Sequence, residues 1–269
     1  ISLVLAGGLL SAFIGPEIVR STSDAIDSTP YAGAYLAVIA INVIGSLGLL
    51  FLDIPTPPRK KKGEKSGRDL KEIFTQPKTI VAVICAMVSY AVMTLVMTST
   101  TLAMTATGFT TAAAADVVRW HIIAMFAPSF FTGAIISRIG QLRVITIGLT
   151  LLGIAAFIGV SGDEVENFYF ALIALGLGWN FGFIGATSLL TTTHTSEERA
   201  KVQGLNDVLV SGLVTIASFG SGAILQIYGW KYVQYAMIPA LSLAAMAILW
   251  LAIKTRRARS IEPNFGGMW

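Results

Sequence analysis

The chain has 269 residues, of which 54% are hydrophobic and only 13% charged, and its mean hydropathy is +0.72. That balance excludes an ordinary soluble domain. The net charge of +4 does not mark a nucleic-acid binder, because the basic residues are sorted loop by loop, and the single cysteine, Cys85, lies inside an apolar run and excludes a disulfide framework.

Eight apolar segments follow in chain order: Ile1–Pro16, Tyr31–Leu52, Thr79–Thr101, Val118–Ser137, Val144–Val160, Phe168–Thr192, Leu205–Ile227 and Tyr232–Ala252. Each is near the ~20 residues that a bilayer requires. The fold expected is an all-α membrane protein, a polytopic bundle of eight transmembrane helices. The first segment has no initiator Met, no basic n-region and no small-residue cleavage site, so it does not read as a signal peptide. It reads as the start of a fragment whose earlier spans are missing.

Between the second and third segments lies the one extended hydrophilic stretch, residues 53–78, with Arg59, Lys60, Lys61, Lys62, Lys65, Arg68, Lys71 and Lys78. Its end, Arg68–Phe74, is either a short amphipathic helix on the membrane, with Leu70, Ile73 and Phe74 down, or a solvated linker. Further basic residues sit at Arg138 and Arg143, at Arg199 and Lys201, and in the tail at Lys254, Arg256, Arg257 and Arg259. Sixteen of the nineteen basic residues thus fall on alternate loops; only Arg20, Arg119 and Lys231 do not. The positive-inside rule places those loops and both chain ends in the cytoplasm, with the acidic loop Ser161–Asn167 outside.

Two spans before a basic loop and six after it suggest half of a two-fold-repeated transporter. Three stretches carry a more specific likeness. Gly7–Pro16 has a Gly-Pro ending, after which Glu17-Ile18-Val19 replaces small residues. Gly133–Arg143 reads GAIISRIGQLR, with Ser137 where an Asp is customary. Glu197-Glu198-Arg199 opens into Lys201–Asp207. In these the chain resembles the major facilitator superfamily, twelve-helix secondary transporters made of two six-helix halves joined by a basic cytoplasmic loop. The resemblance covers the whole chain. It implies that residues 1–52 are the last two helices of the amino-terminal half, 53–78 the central loop, 79–253 the complete carboxy-terminal half and 254–269 a basic cytoplasmic tail. It also implies a solute site near the bilayer midplane.

Which residues reach such a site? Trp179 and Asn180 lie ~17 Å below the start of their span, at mid-depth. Gly178, Gly182 and Ala186 form a small-residue stripe for packing, and Gly176, Asn180, Phe183 and Thr187 share the opposite face, free to line a cavity. Asn180 has a second reading, a hydrogen bond to a neighbouring helix. Met87, Tyr90, Thr94, Met97 and Thr101 share one face of the third span, either a lining for an aromatic or amphipathic solute or a packed interface. The fourth span offers His121 and Met125, with Pro128 expected to kink it. His121 reads either as a proton carrier or as a neutral, hydrogen-bonded core residue. Asp116 and Arg119 beside it are close enough to the outer surface to snorkel. Gln203, Asn206 and Asp207 open the seventh span as a cytoplasmic gate, with Arg199 or Arg138 as the partner of Asp207; a helix N-terminus would also stabilise that acid without gating. Glu17 is the remaining acid near a membrane face, and Asn42 is expected to join two helices.

The function expected is secondary active, proton- or ion-coupled transport of a small organic solute by alternating access, in a multi-pass inner membrane and as a monomer when full length. The Gly-Pro stretch leans toward an exporter of the drug-antiporter kind; the alternative is an uptake permease for a metabolite or a vitamin-like aromatic compound. An intramembrane enzyme is the reading from another class, opposed by the lack of a His-Glu-x-x-His or Gly-x-Ser-x-Gly motif. No cofactor, metal or nucleic-acid partner is expected, only the solute, the coupling ion and the lipid bilayer.

Overall fold

The computed structural model describes residues 2–26, 29, 31–53 and 67–261. Its helices are α1 (Ser2–Thr22), α2 (Ala32–Gly48, continued by a 3-10 turn Leu49–Phe51), α3 (Leu70–Phe74), α4 (Pro77–Ala106), α5 (Thr111–Phe126), α6 (Ser129–Ile139), α7 (Gln141–Ser161), α8 (Val165–Thr191), α9 (Arg199–Tyr228), α10 (Trp230–Tyr235) and α11 (Met237–Ile261). Arg59, Lys60, Lys61, Lys62 and Lys65 of the central loop lie outside the described residues, as does the chain beyond residue 261.

Six stretches are long and apolar enough to cross a membrane: Ala32–Phe51, Pro77–Ala106, Gln141–Ser161, Val165–Thr191, Arg199–Tyr228 and Trp230–Arg256. Helices α5 and α6 together make a seventh, bent by 41° at the break. The break falls at Pro128, which has no N–H to continue the ladder. This span begins two turns earlier than hydropathy suggests. Thr110 caps it, its hydroxyl accepting from Ala113 N–H at 3.2 Å, and the alanines that follow favour helix without being strongly apolar.

The core lies where α4, α7 and α8 meet, and α5 and α9 close on it. Lipid offers these helices no hydrophobic gain on pairing, so close contact must come from small residues. The crossing of α7 and α8 shows this directly. A Cβ on Gly148 would strike the backbone of Gly182, and one on Gly178 would lie 2.8 Å from Leu152 Cγ. Between α4 and α9, the buried hydroxyls of Ser99 and Ser221 meet at 2.6 Å.

Helix α3 docks on protein. Ile73 is fully buried in the core and Phe74 packs against it, whereas Leu70 remains exposed. The short helix of the first sequence reading is present, and of the three side chains that it turns down, Ile73 and Phe74 meet protein. Asn42 is exposed, and among the described residues its amide donates to Val38 O of its own helix at 2.8 Å and to no second helix. Helix α2 packs on α1 and otherwise presents large apolar side chains, Tyr35, Ile44 and Leu50 among them, to its surroundings.

Candidate functional site

The stripe on α4 is the helix's open side. Met87, Tyr90, Thr94 and Met97 are half-buried and Thr101 is exposed, while Val88, Ser89, Val92, Met93, Leu95 and Val96 between them are buried. From α8, Phe183 and Thr187 are half-buried on the adjoining surface. Trp179, only 6% exposed, lies behind them. The rings form one cluster: Trp179 and Phe183 stack at 5.2 Å with planes 14° apart, and Tyr90 stands edge-on to both, 5.6 Å from Trp179 and 5.2 Å from Phe183. The last residue of α5, Phe126, meets Trp179 at 6.0 Å. It is a member that sequence reasoning missed, because nothing in its own helix marks it as polar or periodic. Gly8 of α1 lies against it, with room for a Cβ only 3.0 Å from the Phe126 ring.

The indole Nε1–H of Trp179 is buried without a partner among the described residues. An unmet donor in an apolar setting costs about 1–3 kcal/mol, so a ligand acceptor there would be worth more than at an exposed site. The cluster is a wall with one open side. Two surface grooves lie elsewhere, one of about 500 Å³ along α2 and one of about 570 Å³ between the ends of α4 and α9 beside Trp230, and neither contains these residues.

The face of α8 opposite the packing stripe divides in two. Gly178 faces α7, Gly182 offers its backbone to Gly148 of α7 while a Cβ on it would strike Ser89 of α4, and Ala186 is fully buried, so the stripe packs against two helices. Gly176, however, abuts α5, where a Cβ would lie 2.6 Å from His121 O. Asn180 is fully buried. Its Nδ2 donates to Met125 O and Ser129 Oγ, both at 2.6 Å, and its Oδ1 accepts from Thr132 Oγ1 at 2.6 Å. Met125 is itself buried. His121 is buried between α5 and α8, its Nδ1 2.8 Å from Leu172 O. A carbonyl only accepts, so Nδ1 carries the hydrogen, and the neutral ring's Nε2 is an acceptor without a partner among the described residues.

The charged candidates fall at two ends. At one, Arg119 Nη1 meets Asp116 Oδ1 at 3.0 Å, Tyr169 donates to Asp116 Oδ2 at 2.5 Å, and Arg119 Nη2 reaches Glu17 Oε1 of α1 at 3.6 Å. At the other end, Arg138, Arg199 and Asp207 are exposed, Gln203 is half-buried and Asn206 is buried. Asp207 accepts from Asn206 Nδ2 at 3.4 Å, and the ion pairs of the described residues do not join it to Arg138 or Arg199.

The strongest pair at that end is one the sequence did not reveal. Glu198, nearly fully buried, takes Arg68 N–H at 2.7 Å, Arg68 Nε at 3.0 Å and Arg68 Nη2 at 2.8 Å, and Thr195 N–H at 3.0 Å. Arg68 also donates to Thr193 O at 3.0 Å, and Lys201 Nζ donates to Arg68 O. The guanidinium of Arg68 first, and the two backbone N–H groups next, hold the Glu198 carboxyl well below the usual range. Glu198 also raises Arg68 in turn. A motif search finds Glu198 and a charge count finds Arg68, but 130 residues separate them and no spacing rule links the two.

Comparisons with known proteins agree with this architecture. The family model described as Major Facilitator Superfamily matches residues 82–267. The Riboflavin transporter RfnT of Brucella anthropi is 40% identical over 262 residues, 96% of this chain and 65% of the relative. The Bacillus subtilis proteins named Uncharacterized MFS-type transporter YdeG and YddS are 29% and 31% identical, over 88% and 78% of this chain and 58% and 52% of their own lengths. The chain therefore spans about half to two thirds of the curated relatives it matches. An all-helical bundle of several apolar spans, matched over most of its length by that model, is that of a multi-pass membrane protein: the chain belongs to the Major Facilitator Superfamily.

Proposed function

We propose that this chain is the larger part of a secondary carrier that takes up a flat, vitamin-like heteroaromatic solute, with riboflavin the first compound to test. The observation that carries the reading is the ring cluster of Tyr90, Trp179 and Phe183 on the open side of α4 and α8, with an unmet indole N–H behind it. A planar solute laid on Phe183 gains ring stacking worth about 0.5–1.5 kcal/mol per pair beyond its buried area. Thr94, Thr187 and the pliable Met97 supply hydroxyls and a thioether around it. A relative 40% identical is named as a riboflavin transporter, which supports this alternative over the export to which the Gly-Pro stretch leans.

In this reading α1 and α2 are the last helices of one half and α4–α11 form the other, eight spans in all. The end bearing Arg68, Arg138, Arg199 and Lys254 is cytoplasmic and the membrane is the inner one. Solute rests between the halves, in a carrier that works as a monomer and is coupled to a proton or another ion. The Glu17–Arg119 pair, the contact of opposite charges between α1 and α5, is an outer gate, and Gln203, Asn206 and Asp207 border the inner one. His121, buried and bonded to Leu172 O, supports solute binding by holding α5 on α8.

Counterflow in proteoliposomes holding the full-length carrier tests this, with riboflavin inside and a panel of labelled aromatic and aliphatic solutes outside. Phe183→Ala should raise the KM for the flat solute roughly tenfold or more, and Trp179→Phe, which keeps a ring and removes the donor, by about two- to tenfold. Exchange that ignores every aromatic solute, or an unchanged KM in Phe183→Ala, would sink the reading.

A further inference from the structure

Helix α6 touches α1, α7 and α8 but buries few of its side chains. Of its eleven residues only Thr132 is buried. That residue's hydroxyl donates to Asn180 Oδ1 at 2.6 Å, and lies 2.8 Å from Pro128 O. The same Asn180 amide reaches both sides of the break: Met125 O in the last turn of α5, and Ser129 Oγ at the start of α6, each at 2.6 Å. A break at proline leaves carbonyls of the preceding turn without their helical donors. Here one of them is answered by a side chain from α8. Both N–H groups of the amide are used in this way, and the residue is fully buried, so it has no donor to offer a solute. Its neighbour Trp179 rests on Phe126, the residue that ends α5, and stacks on Phe183 of the ring cluster.

We propose that Asn180 is a positioning residue that sets the angle between α5 and α6, acting through Met125 O, Ser129 and Thr132 and not through the solute. Trp179 and Asn180, adjacent on α8, join the ring cluster to the break, so movement of α8 with solute is passed to α6. Without the amide, the single buried side chain of α6 bonds only within its own chain segment, to Pro128 O, and the angle is no longer fixed from α8.

The test uses the full-length carrier with Cys85→Ala and spin labels at Trp120→Cys on α5 and Ser137→Cys on α6, both exposed positions. Asn180→Leu and Thr132→Val should each broaden or shift the distance distribution between the labels. Adding Pro128→Ala, which gives Ala124 O its helical donor and lets the Ser129 N–H return to Met125 O, should reduce the effect of Asn180→Leu. In transport, the maximal rate should fall roughly tenfold while the equilibrium Kd for riboflavin moves less than about threefold. Unchanged distances in Asn180→Leu overturn the proposal, as does a large loss of affinity with distances intact, the mark of a direct ligand. Should Asn180→Leu fail to fold, Thr132→Val and Ser129→Ala carry the same readouts. The proposal rests on the carrier reading only for its transport arm: riboflavin failing to bind the unaltered protein would end the proposed substrate, and the label distances would still decide the role of Asn180.

Discussion

A methyl group placed on Gly148 would run into the backbone of Gly182, which no rotamer change relieves. The α7–α8 contact therefore depends on a missing side chain, and Gly148→Leu should force the two helices apart at a cost of about 1–3 kcal/mol. Thermal unfolding of the detergent-solubilised protein measures this, and an unchanged Tm would mean that the helices meet elsewhere. Gly67 has two reasons to be glycine. Its φ is +66°, and a Cβ would lie 2.5 Å from Glu198 Cγ. Gly67→Ala should loosen the Arg68–Glu198 clamp without touching either charge, and limited proteolysis near residue 67 should speed up. Single residues of this kind are only partly legible in a sequence. The four-residue spacing of Gly178, Gly182 and Ala186 announces a packing stripe, but the partner glycine on α7 has no such spacing to reveal it.

At the scale of elements, the segment Gly67–Phe74 is a strap across the turn between α8 and α9. Ile73 anchors it in the core, and Arg68 locks it to Glu198. Glu198 is held deprotonated below the ordinary carboxylate range. The clamp's stabilisation is therefore complete above the unfolded Glu value of ~4.3 and is lost as pH falls through and below it. Hydrogen-exchange protection factors over residues 67–74, which remove the intrinsic pH dependence of exchange, should hold from about pH 8 to pH 5 and fall only in more acid buffer. Glu198→Gln should release the strap at every pH and abolish that acid dependence; retained protection in the variant would show that Ile73 alone holds the segment. The open stripe of α4 was readable because one helix carries all of it. The clamp was not, because its halves sit on opposite sides of four apolar spans.

For the whole molecule, alternation of basic loops predicts an orientation that can be checked without any knowledge of the solute. Ser137 and Ser161 are exposed at the two ends of one span, α7, the first just before it and the second at its last residue. In intact cells an impermeant maleimide should label Ser161→Cys and spare Ser137→Cys, in a Cys85→Ala background; the reverse pattern would invert the topology. The sequence by itself determined the membrane class, the placement of most spans, the break at Pro128 and which residues share one face of α4. Each of these follows from hydropathy, from a missing N–H or from the 3.6-residue period, all properties of a chain read locally. Only the tertiary structure decided that Phe126 joins Tyr90, Trp179 and Phe183, that Arg68 serves Glu198, and that Asn180 turns inward to the α5–α6 break. Those are meetings of residues on different helices, and in a bilayer, where every apolar face is equally at ease against lipid, close packing and the demand of buried polar groups for partners select which faces meet.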